Sequence, residues 1–311
     1  MVKRFLLGID DSQYTFEALE NLAGLFLKTD AHFHLFLAVT ESHLPAPPPT
    51  SSEATDWQEV QKRRAQQILD KGVSSLLQIG YKRSRISTET RLQSVNAAQD
   101  ILNAGKSEEI IAIVLARKQQ SGVKRLLPDT TTANIYQYAD VQPVWAIGNL
   151  PLKPPHVLAA VDESDYADRI ATHLAETLGP LPDVRITFLN VMPAKPPSYW
   201  DDGHILDKEE RGERKGVVKK WQWTYEEIMG GIFAKARGVL TKSGVPEERI
   251  STKMQTRRSG PARDILAEVS RGGYNIVALG RRGSGDSQID PGSRASKIIR
   301  SARGCTIMLV N

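Results

Sequence analysis

The chain carries one pattern twice. Leu6-Leu7-Gly8-Ile9-Asp10-Asp11-Ser12 near the start is answered by Leu158-Ala159-Ala160-Val161-Asp162-Glu163-Ser164. Asp100-Ile101-Leu102 returns as Asp264-Ile265-Leu266, and the apolar run Ile111–Ala116 returns as Asn275–Gly280. Pro143–Ile147 is matched at the end by Thr306–Val310. Landmarks that keep order and spacing across half a chain describe one unit duplicated. The 311 residues suffice for two such units, each large enough for its own core. The reading places them at residues 1–150 and 151–311, joined through the proline-rich linker Gly148–Pro155.

Within each unit, strand and helix signals alternate. In the first, Lys3–Ile9, Phe33–Val39, Arg85–Leu92, Glu109–Leu115 and Pro143–Ile147 read as strands. Phe16, Leu19, Leu22, Ala23 and Phe26 fall on one face of a helix. A proline loop at Pro45–Ser52, a long helix over Trp57–Leu77, and helices at Ala97–Asn103 and Thr130–Tyr138 complete the unit. The second unit repeats the order, with a long basic helix over Lys208–Lys242. Such alternation predicts an α/β fold: two tandem open parallel sheets, each sandwiched between helices and wound by right-handed crossovers. Ligands in such sheets bind beyond the C-terminal strand ends, near the topological switch point.

Composition narrows the field. No apolar run approaches the ~20 residues that span a bilayer, and the apolar stretch after Lys3-Arg4 is too short for a secretory signal. Cys305 is the single cysteine, so no internal disulfide forms, which suits a reducing cytoplasm. Basic and acidic residues balance in 1–150, so the net charge of +5 belongs to the second unit. Many of that unit's charges fall in the mixed run Asp207–Lys220, which reads as a solvated helix face. No basic stripe interleaved with aromatics marks a nucleic-acid surface. His32 and His34 would share a strand face, but two histidines do not make a metal site. Nucleophile elbow, zinc-protease, Walker A and dinucleotide fingerprints are all missing.

The second unit places chemistry where the architecture wants it. Asp162 follows its first strand and Val191 ends its second. Leu279-Gly280-Arg281-Arg282-Gly283 follows its fourth, and Gly292-Ser293 opens the next helix. Glycines let backbone amides approach phosphate oxygens, and a helix N-terminus supplies free N–H groups and a positive dipole end. Each residue also has a plainer use. Asp162 serves equally as the N-cap of the helix near Tyr166, the glycines as turn residues, and Arg281 and Arg282 as solvated surface. Trp221 and Trp223 read as packing residues, and Tyr199 and Trp200 as loop anchors.

Taken together these residues resemble the universal stress protein family, over nearly the whole chain as a tandem pair. Nucleotide-binding members show Gly-x2-Gly-x9-Gly-(Ser/Thr) after the fourth strand. The resemblance implies that Gly280, Gly283, Gly292 and Ser293, with Arg282 beside them, hold the phosphates and ribose of ATP, with Mg2+ accompanying the nucleotide. Asp162 would face the ribose and adenine side, the backbone at Val191 would meet the adenine, and Leu279 belongs to the same nucleotide site. One departure stands out: eight residues, Ser284–Pro291, separate Gly283 from Gly292. The first unit departs further, with Ala116, Gln119, Asp129 and Thr130 at the motif positions. It reads as a degenerate copy, its Asp10 a helix cap.

The expectation is a cytoplasmic tandem protein that binds ATP through its second domain and acts as a stress-response regulatory or protective module. Any ATP hydrolysis would be slow, because no general base or nucleophile stands out. The resemblance also implies antiparallel pairing of Pro143–Ile147 with Cys305–Val310, and association of two chains into a homodimer. The alternative is a nucleotide-free interaction protein of the same fold. An adenine-nucleotide hydrolase of related fold is a third reading, but Val161-Asp162-Glu163-Ser164-Asp165 lacks its Ser-Gly-Gly-x-Asp-Ser loop.

Overall fold

The computed structural model describes residues 4–39, 51–92, 96–117, 130–148, 154–196, 208–281 and 292–311. The first half runs β1 (Arg4–Gly8), α1 (Gln13–Phe26), β2 (His32–Val39), α2 (Ser51–Ile79), β3 (Ile86–Leu92), α3 (Ala97–Gly105), β4 (Ile110–Ala116), α4 (Thr130–Tyr138) and β5 (Val144–Ile147). The second repeats it as β6 (His156–Ala160), α5 (Tyr166–Thr177), β7 (Arg185–Met192), α6 (Lys208–Lys242), β8 (Ile250–Thr256), α7 (Pro261–Gly272), β9 (Ile276–Gly280), α8 (Ser293–Ser301) and β10 (Thr306–Val310).

Local chemistry sets the element ends. Ser12 caps α1 by accepting from the Thr15 amide, and Asn96 caps α3 through the Gln99 amide at 2.9 Å. Gly260, at φ 112°, turns the chain into α7, with Pro261 at its first position. After α2 and α6 the chain makes the same turn twice, on Gly80 (φ 111°) and Gly244 (φ 97°). Helix α2 starts at Ser51, earlier than Trp57 and inside the expected proline loop. Serine, unlike the prolines before it, keeps its N–H and accepts helical dihedrals.

The ten strands of the described residues form one open sheet in the order β3-β2-β1-β4-β5-β10-β9-β6-β7-β8. Every neighbouring pair is parallel except β5 and β10, which meet antiparallel with Trp145 opposite Met308. That pairing covers two edges that would otherwise be exposed. Each face of the sheet carries one continuous apolar core that crosses the seam. One runs from Phe5 and Phe33 through Trp145 to Phe188 and Met308; the other runs from Leu6 and Phe36 through Ala146 to Leu279 and Leu309.

Two arginines lock the halves reciprocally. Arg117, just after β4, donates to the carbonyls of Ile299 (2.9 Å) and Ala302 (2.6 Å) at the C-terminus of α8. Arg281, just after β9, donates to the Gln137 carbonyl at the end of α4. Both cap the negative end of a helix in the opposite half. Arg281 is therefore not the surface residue that its sequence context suggests: it is only 4% exposed. Its partner lies in the other half of the chain, out of reach of any local pattern.

The tryptophans of α6 divide. Trp221 packs on Tyr225 with ring centroids 5.4 Å apart, as expected. Trp223 is 61% exposed, contrary to its reading as a packing residue, because the buried face of α6 runs through Tyr225, Met229, Phe233, Ala236 and Leu240. Tyr199 and Trp200 lie outside the described residues.

Candidate functional site

The strand ends of the second half converge on one cleft of about 250 Å³. Asp162, Val191, Leu279, Gly280 and Gly292 all line it. Arg282 and Gly283 lie outside the described residues, and Ser293 opens α8 as its first residue. Gly292 is buried at the N-cap of α8, its amide donating to the Arg281 carbonyl at 2.8 Å. The first-turn amides of α8 behind it have no partners within the helix.

Asp162 does not cap the next helix. Asp165 holds the N-cap position of α5 without a side-chain bond. Asp162 instead folds an Asx turn, with Oδ1 accepting from the Ser164 amide (3.1 Å) and hydroxyl (2.5 Å). Its second oxygen faces Arg294 of α8 at 3.9 Å. Asp10 in the first half behaves alike: Ser12 is the cap, and Asp10 braces the Ser12 and Thr15 hydroxyls, each at 2.5 Å. A carboxylate placed two or three residues ahead of the cap bonds to the turn itself before it can reach the helix amides.

Gly280 has a structural reason of its own. A Cβ there would meet Tyr166 Cβ at 2.6 Å and Cγ at 2.7 Å, so the glycine lets the start of α5 pack against β9. Tyr166 also lines the cleft and narrows it.

Several cleft residues carried no recognisable sequence motif. Arg257 at the end of β8 and Arg294 on α8 bring positive charge to the cleft. A polar chain closes its inner wall. Asn190 Nδ2 donates to the Val161 carbonyl (3.0 Å) and to the Tyr225 hydroxyl (3.2 Å), and Tyr225 donates to Glu163 at 2.9 Å. Burial above all, with Glu163 adding to it, raises the Tyr225 phenol pKa, so the residue stays a neutral donor. No sequence pattern singled out Tyr225, because its partners come from other elements.

The first half keeps a cleft at the equivalent strand ends, and at about 430 Å³ it is the larger of the two. Gly8, Asp10, Val39 and Ala116 line it, together with Gln61 and Arg64 from α2. Loss of the motif glycines has thus not closed the space. Gln119 and Asp129, which stand at the motif positions of this half, lie outside the described residues.

With this geometry in hand, comparison with known proteins is decisive for the family. The model described as "Universal stress protein family" matches twice, over residues 1–148 and 155–311. The chain belongs to the universal stress protein family. Among solved structures, this universal stress protein is similar in fold to one from Archaeoglobus fulgidus DSM 4304, at 16% identity and TM-score 0.67, covering 100% of this chain and 99% of that one. It is also similar to a universal stress protein from Pseudomonas aeruginosa UCBPP-PA14, at 15% identity and TM-score 0.61, covering 99% and 93%. A further Archaeoglobus fulgidus family structure, in complex with dAMP, is 18% identical over 50% of this chain and 98% of that one, with TM-score 0.32. No curated protein matches significantly.

Among the described residues of this universal stress protein, no group of three or more His, Cys, Asp or Glu side chains is placed to hold a metal. His34 is engaged with Ser87 (2.8 Å) and Glu89 (3.2 Å) on the neighbouring strand. No described helix is long and apolar enough to cross a membrane.

Proposed function

We propose that this is a tandem universal stress protein, with domains at 1–150 and 151–311, whose second domain binds ATP with Mg2+ and whose first has lost that capacity. The observation that carries the reading is the convergence of Asp162, Val191, Leu279, Gly280 and Gly292 on one cleft at the N-terminus of α8. Arg257 and Arg294 supply countercharge to phosphates there, and the α8 amides supply donors. Arg294 would leave Asp162 for the phosphates, freeing the carboxylate for ribose hydroxyls. Arg282, Gly283 and Ser293 complete the phosphate loop in this reading. A family member from Archaeoglobus fulgidus holds dAMP, which makes an adenine nucleotide the first ligand to test.

The module acts by binding and not by demanding chemistry. The two carboxylates at the cleft are engaged, Asp162 with Ser164 and Glu163 with Tyr225, so neither stands ready as a general base. A cytoplasmic regulatory or protective role, with two chains forming a homodimer, belongs to the same proposal. The exposed Val217, Trp223 and Ile228 on α6 favour a second reading, a nucleotide-free interaction protein.

Titration calorimetry with ATP, ADP and AMP separates the two, repeated on Gly283→Gln. Micromolar binding at one site per chain, abolished by the substitution, supports the first reading. Absence of heat with all three nucleotides supports the second, and two sites per chain would refute the loss of function in the first domain.

A further inference from the structure

We infer that the first half's cleft is a binding site for a small carboxylate with an apolar body. The inference is independent of nucleotide binding in the second half. It starts from matched positions in the two halves. Gln61 on α2 stands where Tyr225 stands on α6, at the offset that relates Gly80 to Gly244. Strand register matches Leu37 to Asn190, and the turn after the first strand of each half matches Asp11 to Glu163.

In the second cleft the Asn190–Tyr225–Glu163 chain engages the amide nitrogen and the phenol of the inner wall. Those three replacements dismantle the chain in the first. The Leu37 side chain offers no hydrogen bond, and Asp11, which also lines the cleft, pairs with Lys71 at 2.9 Å. The Gln61 amide is left lining the cleft, 5% exposed, with no hydrogen bond to any described residue. The amide is accessible from the cleft, so its hydrogen-bonding capacity is open to a ligand.

The surroundings define that ligand. Arg64, one turn further along α2, lines the same cleft and makes no ion pair with any described residue. A guanidinium beside an amide N–H is a donor set for a carboxylate. Ile9, Leu37, Ala65, Ile68, Ile101 and Leu115 give the cleft an aliphatic wall that suits a hydrocarbon body, beside a polar side that includes Tyr14, Thr131 and Thr132. Asp10 lies in the lining too, but its Oδ1 is taken by the Ser12 amide and the Ser12 and Thr15 hydroxyls. The volume of about 430 Å³ falls in the range of small-molecule sites.

The test is calorimetric titration of the full chain with octanoate, and with 1-octanol as its uncharged analogue. Octanoate should bind at one site per chain, and saturating ATP should not displace it. Arg64→Ala, an exposed substitution that leaves folding intact, should weaken octanoate at least tenfold and leave 1-octanol unchanged. Gln61→Leu, which keeps the volume, should also weaken octanoate at least tenfold. No octanoate binding, binding indifferent to both substitutions, or displacement by ATP would overturn the inference. Octanoate binding without ATP binding would sink only the nucleotide proposal, and the reverse result only this one.

Discussion

Trp145 Nε1 donates a 2.8 Å hydrogen bond to His173 Nε2, joining the last strand of the first half to α5 of the second inside a common core. Both side chains are buried, and their rings meet nearly edge-on at 87°. The indole also rests on Phe5 at 5.3 Å, so one residue contacts the first strand of its own domain and a helix of the other. The imidazole must be neutral to accept this bond. Burial lowers its pKa from about 6.5 to about 4.

That shift makes the seam sensitive to acid. Between about pH 6.5 and 4 the unfolded chain takes up a proton at His173 that the folded chain refuses, so stability falls as pH falls. The His173 contribution is on the order of 3 kcal/mol across the full window. Urea denaturation of wild type and His173→Phe at pH 7 and pH 5 measures it. An equal loss of stability in the two proteins would refute the assignment.

Arg117→Met should destabilise the chain by about 2–3 kcal/mol, because it keeps the aliphatic stem but leaves the Ile299 and Ala302 carbonyls without their charged donor. Hydrogen exchange should show the C-terminal turn of α8 fraying, although the substitution lies in the other half. Unchanged protection in α8 would count against the reciprocal lock.

Gly280→Ala should cost about 1–3 kcal/mol through overpacking on Tyr166. In a Tyr166→Gly background the same change should cost clearly less, a coupling readable from a double-mutant cycle of thermal or urea melts. Additive effects would mean that Tyr166 is not the reason for the glycine.

Tyr225→Phe removes the donor to Glu163 and one acceptor for Asn190, whose bond to the Val161 carbonyl survives. The expected loss is about 1–2 kcal/mol. Asn190→Leu combined with Tyr225→Gln should enlarge the second cleft toward the form of the first. A crystal structure of the double variant with an unchanged cleft would contradict this account of the difference in volume.

Duplication, the open α/β class and the long helix Lys208–Lys242 were legible in the sequence because they rest on local periodicity and repeated spacing. The strand-end residues Asp162, Val191, Leu279, Gly280 and Gly292 were legible too, since parallel sheets place such positions together whatever their side chains. The roles of individual side chains were harder to read. Asp162 appeared as a cap and forms an Asx turn; Arg281 appeared as surface and is buried against Gln137.

By itself, then, the sequence determined two copies of one α/β unit and the backbone positions at which their clefts form, because apolar spacing and turn residues act over a few neighbours. Only the tertiary structure decided which side chains lock the copies together and what their clefts contain. Arg117 reaches α8, Trp145 reaches His173, and Asn190 reaches Tyr225 across distances in the chain that no local pattern records. The physical reason is range: a buried hydrogen bond is placed by the packing of whole elements, and that packing exists only once the sheet has formed.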